Sequence, residues 1–343
     1  MSNDKKKWTL KSIAAELGVS NATVSNAFNR PDQLSKSKRE EILKACKELG
    51  YFGPNKAAQS LRKGSFNIVA LVLPDSVEYM VSDPVASSFM RGVASVLEAQ
   101  HINLLLFSGT ADNVGDIVDF VDGLICYGRP RNPKLIEHLA NVSKQVVTVD
   151  FDLPAHASIN IDNQQAAFDV ASKALNDDSD VAIFGLRLLD TDLLCRVYEQ
   201  NLTDIQTSIA HQRYSGYLKA IGERGLTLGE DRVWNIPESS ERFANIAAKE
   251  LLNLSPRPNT VLCMSDLIAL PLLREAKKLG VKIPQELKVV GFDGVDEALR
   301  FSPSLTTIHQ NSEEKGREAA KLFLDKSDDK VMLGYTLKMG QSC

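Results

Sequence analysis

Three short segments in the first 50 residues carry apolar side chains at helical spacing. Each follows a Thr or Ser that can cap the free N–H groups of a first turn, at Thr9, Ser20 and Ser35. Gly18 follows the first segment and suits the left-handed backbone that ends a helix. The residues predicted to face a shared core are Ile13, Leu17, Val24, Phe28, Ile42, Cys46 and Leu49. Three helices with a tight Gly-centred turn between the first two predict a helix-turn-helix.

A different pattern follows the polar stretch GPNKAAQSLRKG. Seven apolar runs alternate with amphipathic segments, and the runs are IVALVL, INLLLF, GLICY, QVVTV, VAIF, TVLCM and KVVGFD. The helical segments are 84–100, 163–176, 213–224, 242–253, 266–279 and 313–325. Strands that lack a polar face and alternate with helices predict parallel sheets covered on both sides. The expected fold class is α/β, with two doubly wound parallel-sheet subdomains that enclose a cleft at the carboxyl ends of their strands.

These patterns divide the chain into three parts. We predict a helix-turn-helix domain over 1–54, a hinge helix or linker over 55–65 and a cleft-containing domain over 66–343. The two subdomains of the last part are expected to interleave along the chain. Their predicted bounds are about 66–160 with 294–324 for the first and about 161–293 with 325–343 for the second.

Charge is distributed unevenly between these parts. Residues 1–65 carry 13 Lys and Arg against 6 Asp and Glu, whereas the rest of the chain carries 27 against 38. A compact basic head on an acidic body is expected when only the head contacts a polyanion. A basic surface that is merely solvated is the alternative, and charge alone does not decide between the two.

Composition is that of a globular protein, with 43% hydrophobic and 24% charged residues in a chain of 343. No run approaches the roughly 18 apolar residues of a membrane span. The first residues lack the apolar core of a secretory signal, so we expect a cytosolic protein. The five cysteines include no CxxC pair and predict free thiols rather than disulfides or zinc ligands. No cofactor or metal is expected.

The second helix of a helix-turn-helix enters the major groove, and its first residues contact base edges. Those residues are Asn21 and Ala22, with Ser25 and Asn26 one turn later. Asn pairs bidentately with adenine, and Ala contacts the thymine methyl group. A solvated helix face is the alternative. Side chains around the helix that suit phosphate contacts are Thr23, Ser25, Asn29, Lys36 and Lys5–Lys7.

This head resembles that of the lactose-repressor (LacI/GalR) family. The motifs that carry the resemblance are the Thr-Leu opening, G-V-S-x-x-T-V-S, E-L-G-Y and P-N-x-A-A-x-S-L-R, in that order. It continues through FMRGV, VTVDF, INIDN, RYSGY, SDLIAL, VVGFD and LTTIHQ, so it covers nearly the whole chain. The resemblance implies a transcriptional repressor that binds a palindromic operator as a homodimer. It also implies that a small molecule, a sugar or nucleoside-type metabolite, switches operator binding.

For the linker, the resemblance implies a hinge helix in AAQSL that becomes ordered on operator DNA. Two such helices from a dimer would lie in the minor groove, where Leu61 wedges between base pairs. Ala57 and Ala58 would allow the helices to approach closely, and Arg62 would hold phosphate. The other residues expected at the DNA interface are Thr9, Ser20 and Asn55.

For the body, the resemblance implies an effector domain built like periplasmic sugar-binding proteins. Motif position places Asp150, Arg213 and Asp266 at strand ends or helix starts that face the cleft. An Arg with two carboxylates can grip hydroxyl-rich or heterocyclic ligands. Phe151 and Trp234 are the candidates for an aromatic face, although Trp234 suits the core equally well.

Asp162, Asn163 and Asp293 are weaker candidates for the effector site. Asp293 is expected to order the crossover between the subdomains. Two of the stronger candidates also have structural alternatives. Asp266 can serve only as a helix N-cap, and Arg213 only as an inter-subdomain salt bridge.

The chain departs from the family pattern at several places. Asn26 stands where many members carry Arg, and Gly53 is an extra residue before Pro54. The stretch PDSVEYMVSDPVASSF lacks the usual aromatic pair, and GTADNVGDIVDFVDGLI is too short for a second full helix. The run Leu186–Ala210 inserts about twenty residues. Most of these changes surround the expected cleft, so the class of effector stays open.

Two other classes of protein compete with a regulator. An enzyme is disfavoured because neither G-x-G-x-x-G after an early strand nor GxxxxGK[ST] occurs, and the five His show no metal spacing. A sugar-binding receptor without DNA function would explain the body alone. Such a receptor has no use for the basic head and needs an export signal.

Overall fold

The structure is a computed structural model that describes residues 8–53, 64–198 and 208–343. The chain divides into two compact units, Met1–Phe66 and Asn67–Cys343. This division agrees with the change of sequence pattern after the polar stretch.

The first unit is a bundle of three helices joined by tight turns. Its elements are α1 (Leu10–Glu16), α2 (Asn21–Asn29), a 3₁₀ turn (Pro31–Gln33) and α3 (Lys36–Glu48). Thr9, Ser20 and Ser35 cap the three helices, since each side chain accepts a hydrogen bond from the backbone N–H three residues later. Gly18 has a φ of +64° between α1 and α2. The predicted helix-turn-helix is confirmed.

A small apolar core holds these helices together. Its buried members are Ile13, Ala14, Val24, Ala27, Ile42, Cys46 and Tyr51. Phe28, predicted to face the core, is partly buried and meets the Tyr51 ring edge-on at 5.7 Å between centroids. Gly53 has a φ of +115°, and a Cβ there would lie 3.0 Å from the Phe28 ring. Only glycine fits this position without strain.

The second unit contains the two predicted parallel sheets. The strands of the first are β1 (Ile68–Val72), β2 (Asn103–Phe107), β3 (Gly123–Tyr127), β4 (Gln145–Val149), β5 (Ala157–Ile161) and β12 (Lys330–Leu333). They lie in the order β12-β5-β4-β3-β1-β2, and every pairing is parallel. The helices of this half are α4 (Val77–Ser82), α5 (Pro84–Ala99), α6 (Gly115–Val118), α7 (Pro133–Asn141) and α13 (Ser312–Leu324). The four-residue α6 confirms that the segment is too short for a full helix.

The second sheet has five strands: β6 (Val181–Leu186), β7 (Cys195–Arg196), β8 (Val233–Ile236), β9 (Thr260–Cys263) and β10 (Lys288–Val290). Their order is β10-β9-β6-β8-β7. The inserted run contributes β7, which pairs antiparallel to β8 at one edge. The helices of this half are α8 (Asn163–Ala174), α9 (Ile209–Glu223), α10 (Glu241–Leu252), α11 (Asp266–Lys278) and α12 (Asp296–Arg300).

The chain crosses between the halves near its C-terminus. A small antiparallel sheet there joins β11 (Thr307–His309) to β13 (Thr336–Lys338). The prediction placed 325–343 in the second subdomain, but β12 pairs with β5 and so belongs to the first sheet. Val331 and Leu333 of β12 pack against the core of that half, which explains the difference. Likewise, 294–324 was predicted for the first subdomain, yet Ala298 of α12 is buried in the core of the second.

Candidate functional site

Helix α2 presents its first turn to solvent. Ser20 fixes where the helix begins, since its hydroxyl accepts a hydrogen bond from the N–H of Thr23 at 3.0 Å. Asn21 and Ala22 follow and are both exposed, whereas Val24 is fully buried. The buried side of α2 therefore anchors the helix, and the side predicted to contact bases is accessible.

The other described residues predicted to contact DNA have mixed environments. Thr9 shares a reciprocal capping arrangement with Ser12. Asn29 is exposed and donates a hydrogen bond to Ser25 at 3.4 Å. Asn26 is half-buried, and Lys36 is exposed at the start of α3. The predicted contacts that lie outside the described residues are Lys5–Lys7, Asn55, Ala57, Ala58, Leu61 and Arg62.

The second unit contains a cleft of about 500 Å³ between its two sheets. Its walls are the loops that follow β1, β3 and β4 on one side and β6, β8 and β9 on the other. These are carboxyl ends of parallel strands, where ligands bind in doubly wound folds. A cleft of this size is typical of small-molecule sites.

Arg213, on α9, lies in the cleft wall and is held rigidly. Its Nε donates to Asn163 Oδ1 at 3.0 Å, and its Nη1 donates to the carbonyl of Met264 at 2.6 Å. The guanidinium lies 3.6 Å above the ring of Phe292 and 3.6 Å from Asp293 Oδ1. These contacts fix the direction of the remaining donor surface toward the cleft.

Asp150 lies opposite, at the end of β4, with a left-handed φ of +62°. Such backbone is unfavourable for residues other than glycine and is concentrated at functional sites. Its Oδ1 accepts a hydrogen bond of 2.6 Å from Nζ of Lys315, which also donates to Gln310 Oε1 at 2.7 Å. Lys315 is 1% exposed, and burial lowers its pKa. Sequence reasoning missed Lys315, because it lies on α13, far from Asp150 along the chain.

Asp266 is fully buried and does not line the cleft. Ser265 is the N-cap of α11, and Asp266 is its first residue. The Asp266 carboxylate instead accepts hydrogen bonds from the N–H groups of Gly294 and Val295 and from the Thr307 hydroxyl, at 2.7, 2.9 and 2.6 Å. Burial raises the pKa of Asp266 well above its usual range, and the Asp293 charge adds to this. Its contacts are those of an anchor for the crossover loop.

Asp293 contacts Arg213 and Gln310, and so links the Arg213 guanidinium to the pair formed by Lys315 and Asp150. It accepts hydrogen bonds from Ser265 and Gln310, both at 2.8 Å, and its backbone φ is +119°. Burial raises its pKa to about 6, which the Arg213 charge opposes. Arg213, Asp293, Gln310, Lys315 and Asp150 thus form one continuous polar network. Of the six predicted effector residues, only Asp150 and Arg213 line the cleft.

Asp162 is an exposed N-cap of α8, so the structure separates it from the network. The two aromatic candidates are also placed elsewhere. Trp234 is fully buried, and its Nε1 donates to Glu250 at 3.1 Å, while Phe151 belongs to the core of the first half. Tyr79 and Tyr127 line the cleft in their place.

Tyr79 also makes a contact across the cleft. Its hydroxyl accepts a hydrogen bond of 3.0 Å from the backbone N–H of Ser239. Burial and the nearby Asp83 raise the pKa of Tyr79 to about 12, so the phenol stays protonated at neutral pH. Tyr79 lies in the lengthened stretch that follows β1, which was the sequence signal for an altered cleft.

Among the described residues, no group of three or more His, Cys, Asp or Glu is arranged to hold a metal ion. Over the same residues, every helix is too short or too polar to cross a membrane. All five cysteines are free thiols.

The hydrogen bonds of Asp266 should make a large contribution to the stability of the second unit. Asp266→Ala leaves three buried donors without an acceptor, so we expect a loss of roughly 3 kcal/mol or more in the free energy of unfolding. Asp266→Asn keeps an oxygen for the two N–H groups and an amide for Thr307, and it should cost less than half as much. Urea titration of both variants gives the comparison. Equal losses in both variants would contradict the anchoring role.

A helix-turn-helix unit followed by a two-sheet unit with a cleft at its strand ends is the architecture of a ligand-binding regulator of transcription. The model of the family described as "Bacterial regulatory proteins, lacI family" matches residues 9–55. The model of a "Periplasmic binding protein-like domain" matches residues 193–340.

Known proteins are similar over almost the whole chain. The HTH-type transcriptional regulator Rv3575c of Mycobacterium tuberculosis is 33% identical over 329 residues, which cover 93% of this chain and 91% of the relative. The HTH-type transcriptional repressor CytR of Escherichia coli is 29% identical over 337 residues, covering 92% and 89%. A LacI family transcriptional regulator of Enterococcus faecium, solved with bound ribose, has a TM-score of 0.66 at 20% identity and covers 80% of this chain and 98% of its own.

The chain belongs to the lacI family of bacterial regulatory proteins. It is therefore a DNA-binding transcription regulator with a periplasmic-binding-protein-like domain. The predicted family and fold class are confirmed, and the enzyme alternative is excluded because the family consists of regulators.

Proposed function

We propose that this protein represses transcription by binding a palindromic operator as a homodimer. The exposed first turn of α2 supports base reading by Asn21 and Ala22. A single helix-turn-helix covers one half-site, and a two-fold dimer matches a palindrome. The similar protein CytR of Escherichia coli is a transcriptional repressor, which favours repression over activation. In this proposal Leu61 wedges between base pairs in the minor groove, Ala57 allows the two hinge helices to approach closely, and Arg62 holds phosphate.

The cleft is the proposed site of the effector, a sugar or nucleoside-type metabolite. The observation that carries this proposal is that Asp150, after β4, and Arg213, on α9, line one cavity from opposite walls. Their fixed carboxylate and guanidinium suit hydroxyl groups, and the Tyr79 and Tyr127 rings suit an apolar face. The similar regulator of Enterococcus faecium was solved with ribose.

Switching follows from the position of the cleft between the two sheets. A ligand that contacts both walls favours one arrangement of the walls over the other, and only this difference in affinity can shift the equilibrium. We propose that the change alters the hinge regions of the dimer, so that tight specific binding becomes loose electrostatic binding.

An operator selection tests this proposal. The full-length protein is incubated with a pool of random duplexes, and the enriched sequences are read. We expect enrichment of a palindrome, and affinity for it should fall steeply with salt. A panel of sugars and nucleosides is then titrated against the complex. A folded protein that enriches no palindrome, with or without the panel, would refute the proposed binding of a palindromic operator by a homodimer.

A further inference from the structure

Two guanidinium groups on opposite walls of the cleft share one carboxylate oxygen. Arg131 follows β3 of the first sheet, and Arg187 follows β6 of the second. Oδ1 of Asp192 lies 2.8 Å from Nη2 of Arg131 and 3.4 Å from Nη1 of Arg187. Both arginines line the cleft. The carboxylate therefore occupies a position between two forked donors that point from different walls.

The segment that carries Asp192 is built for this position. Asn235, which is fully buried, accepts a hydrogen bond from the N–H of Leu189 and donates one to the carbonyl of Leu193, both at 2.9 Å. These two bonds fasten the inserted loop on both sides of Asp192. Arg187 has a left-handed φ of +48°, a backbone conformation that is unfavourable for residues other than glycine and is concentrated at functional sites.

Asp192 itself is held weakly. Its side chain is 76% exposed, and ion pairs at such exposure contribute little because water solvates both partners. The hydrogen bond to Arg131 lowers the pKa of Asp192, so it remains an anion at neutral pH. Among the other charged residues of the cleft, Asp75 lies 3.4 Å from Arg131, and Arg129, Asp190 and Glu238 also line the cavity.

We propose that Arg131 and Arg187 form an anion subsite of the effector cleft and that Asp192 occupies it in the absence of ligand. The effector would be a hydroxyl-rich molecule that bears a phosphate ester or a carboxylate. Planar guanidinium forks match both groups bidentately. The anion would replace Asp192 between the walls, while the hydroxyl-rich part faces Asp150 and Arg213. This inference rests on the proposed effector role of the cleft and narrows its ligand class.

Inorganic phosphate is the probe for the first test, in calorimetric titrations of the full-length protein at low ionic strength. Asp192→Asn vacates the two guanidiniums and should tighten phosphate binding about fivefold. Asp190→Asn is the matched control, because it removes the same charge from the same loop without freeing a guanidinium, and should change binding less than twofold. Adding Arg187→Gln to Asp192→Asn should abolish the gain. Equal tightening in the two Asn variants, or no binding in any variant, overturns the subsite.

A second titration separates phosphate from carboxylate and tests the ligand class. Glucose is compared with glucose 6-phosphate and glucuronate, and ribose with ribose 5-phosphate. We expect at least one charged compound to bind the wild type about tenfold more tightly than its neutral parent. Tighter binding of the neutral sugars throughout would overturn the anion subsite and leave the proposed function intact. If the protein binds anions in this way but selects no operator, the anion subsite stands and the proposed function is contradicted.

Discussion

Replacement of Lys315 by Met is expected to lower the free energy of unfolding by about 3–5 kcal/mol. The ammonium group is 1% exposed and donates to Asp150 and Gln310. Methionine fits the volume but leaves the Asp150 carboxylate buried without its partner. Removing one member of a buried ion pair costs more than the pair itself contributes, because the remaining charge stays desolvated.

Lys321→Met is the matched control for this measurement. Lys321 lies two turns later on α13 and pairs with Glu318 at the surface, where its side chain is 50% exposed. Its loss should change stability by at most about 0.5 kcal/mol. Urea denaturation followed by far-UV circular dichroism gives both values. A loss below about 1 kcal/mol in Lys315→Met would contradict a buried pair.

The double variant Lys315→Met with Asp150→Asn tests whether the unpaired Asp150 charge causes the loss in the free energy of unfolding. Because the asparagine side chain carries no charge, the second substitution should return part of the stability, and the two changes should be non-additive. Strict additivity would mean that Lys315 stabilises α13 without Asp150. Asp150 lines the cleft, so Lys315→Met should also weaken effector binding, through the position of Asp150 rather than by direct contact.

The sequence predicted those features that depend on neighbouring residues. Thr9, Ser20 and Ser35 each cap a helix by accepting a hydrogen bond from the backbone N–H three residues later. Because the two residues are so close along the chain, the sequence alone predicts where the helix begins. The apolar runs predicted the inner strands because burial on both faces of a strand also leaves its mark on consecutive residues. Asp150 and Arg213 were predicted from the positions of the motifs VTVDF and RYSGY in the family resemblance, and both line the cleft.

The features that the sequence did not predict depend on contacts between segments that are far apart along the chain. Lys315 meets Asp150 across 165 positions, and nothing near either residue signals the pairing. Asp266 has the local signature of a helix start, yet its partners are Gly294 and Thr307 from the crossover. The strand β12 was placed in the wrong half because its short alternating pattern does not specify which sheet edge it extends.

Asn21→Ala is expected to lower affinity for the selected operator about 10-fold to 100-fold and to leave affinity for random duplex unchanged. A bidentate contact between Asn and adenine contributes about 1–3 kcal/mol of discrimination, which corresponds to this range. Asn21 is exposed at the first position of α2, and the cap of that helix comes from Ser20. The substitution should therefore leave the thermal stability of the first unit as it is.

Asn29→Ala removes the same type of side chain from the last position of the same helix. We propose that Asn29 contacts phosphate, so its loss should weaken specific and random duplexes by the same factor. Fluorescence anisotropy with the selected operator and a scrambled duplex, at two salt concentrations, distinguishes the two residues. If Asn21→Ala weakens both duplexes equally, Asn21 is a backbone contact and α2 reads bases through other residues. If it weakens neither, the first turn of α2 lies outside the groove, because a base contact cannot be removed without loss of discrimination.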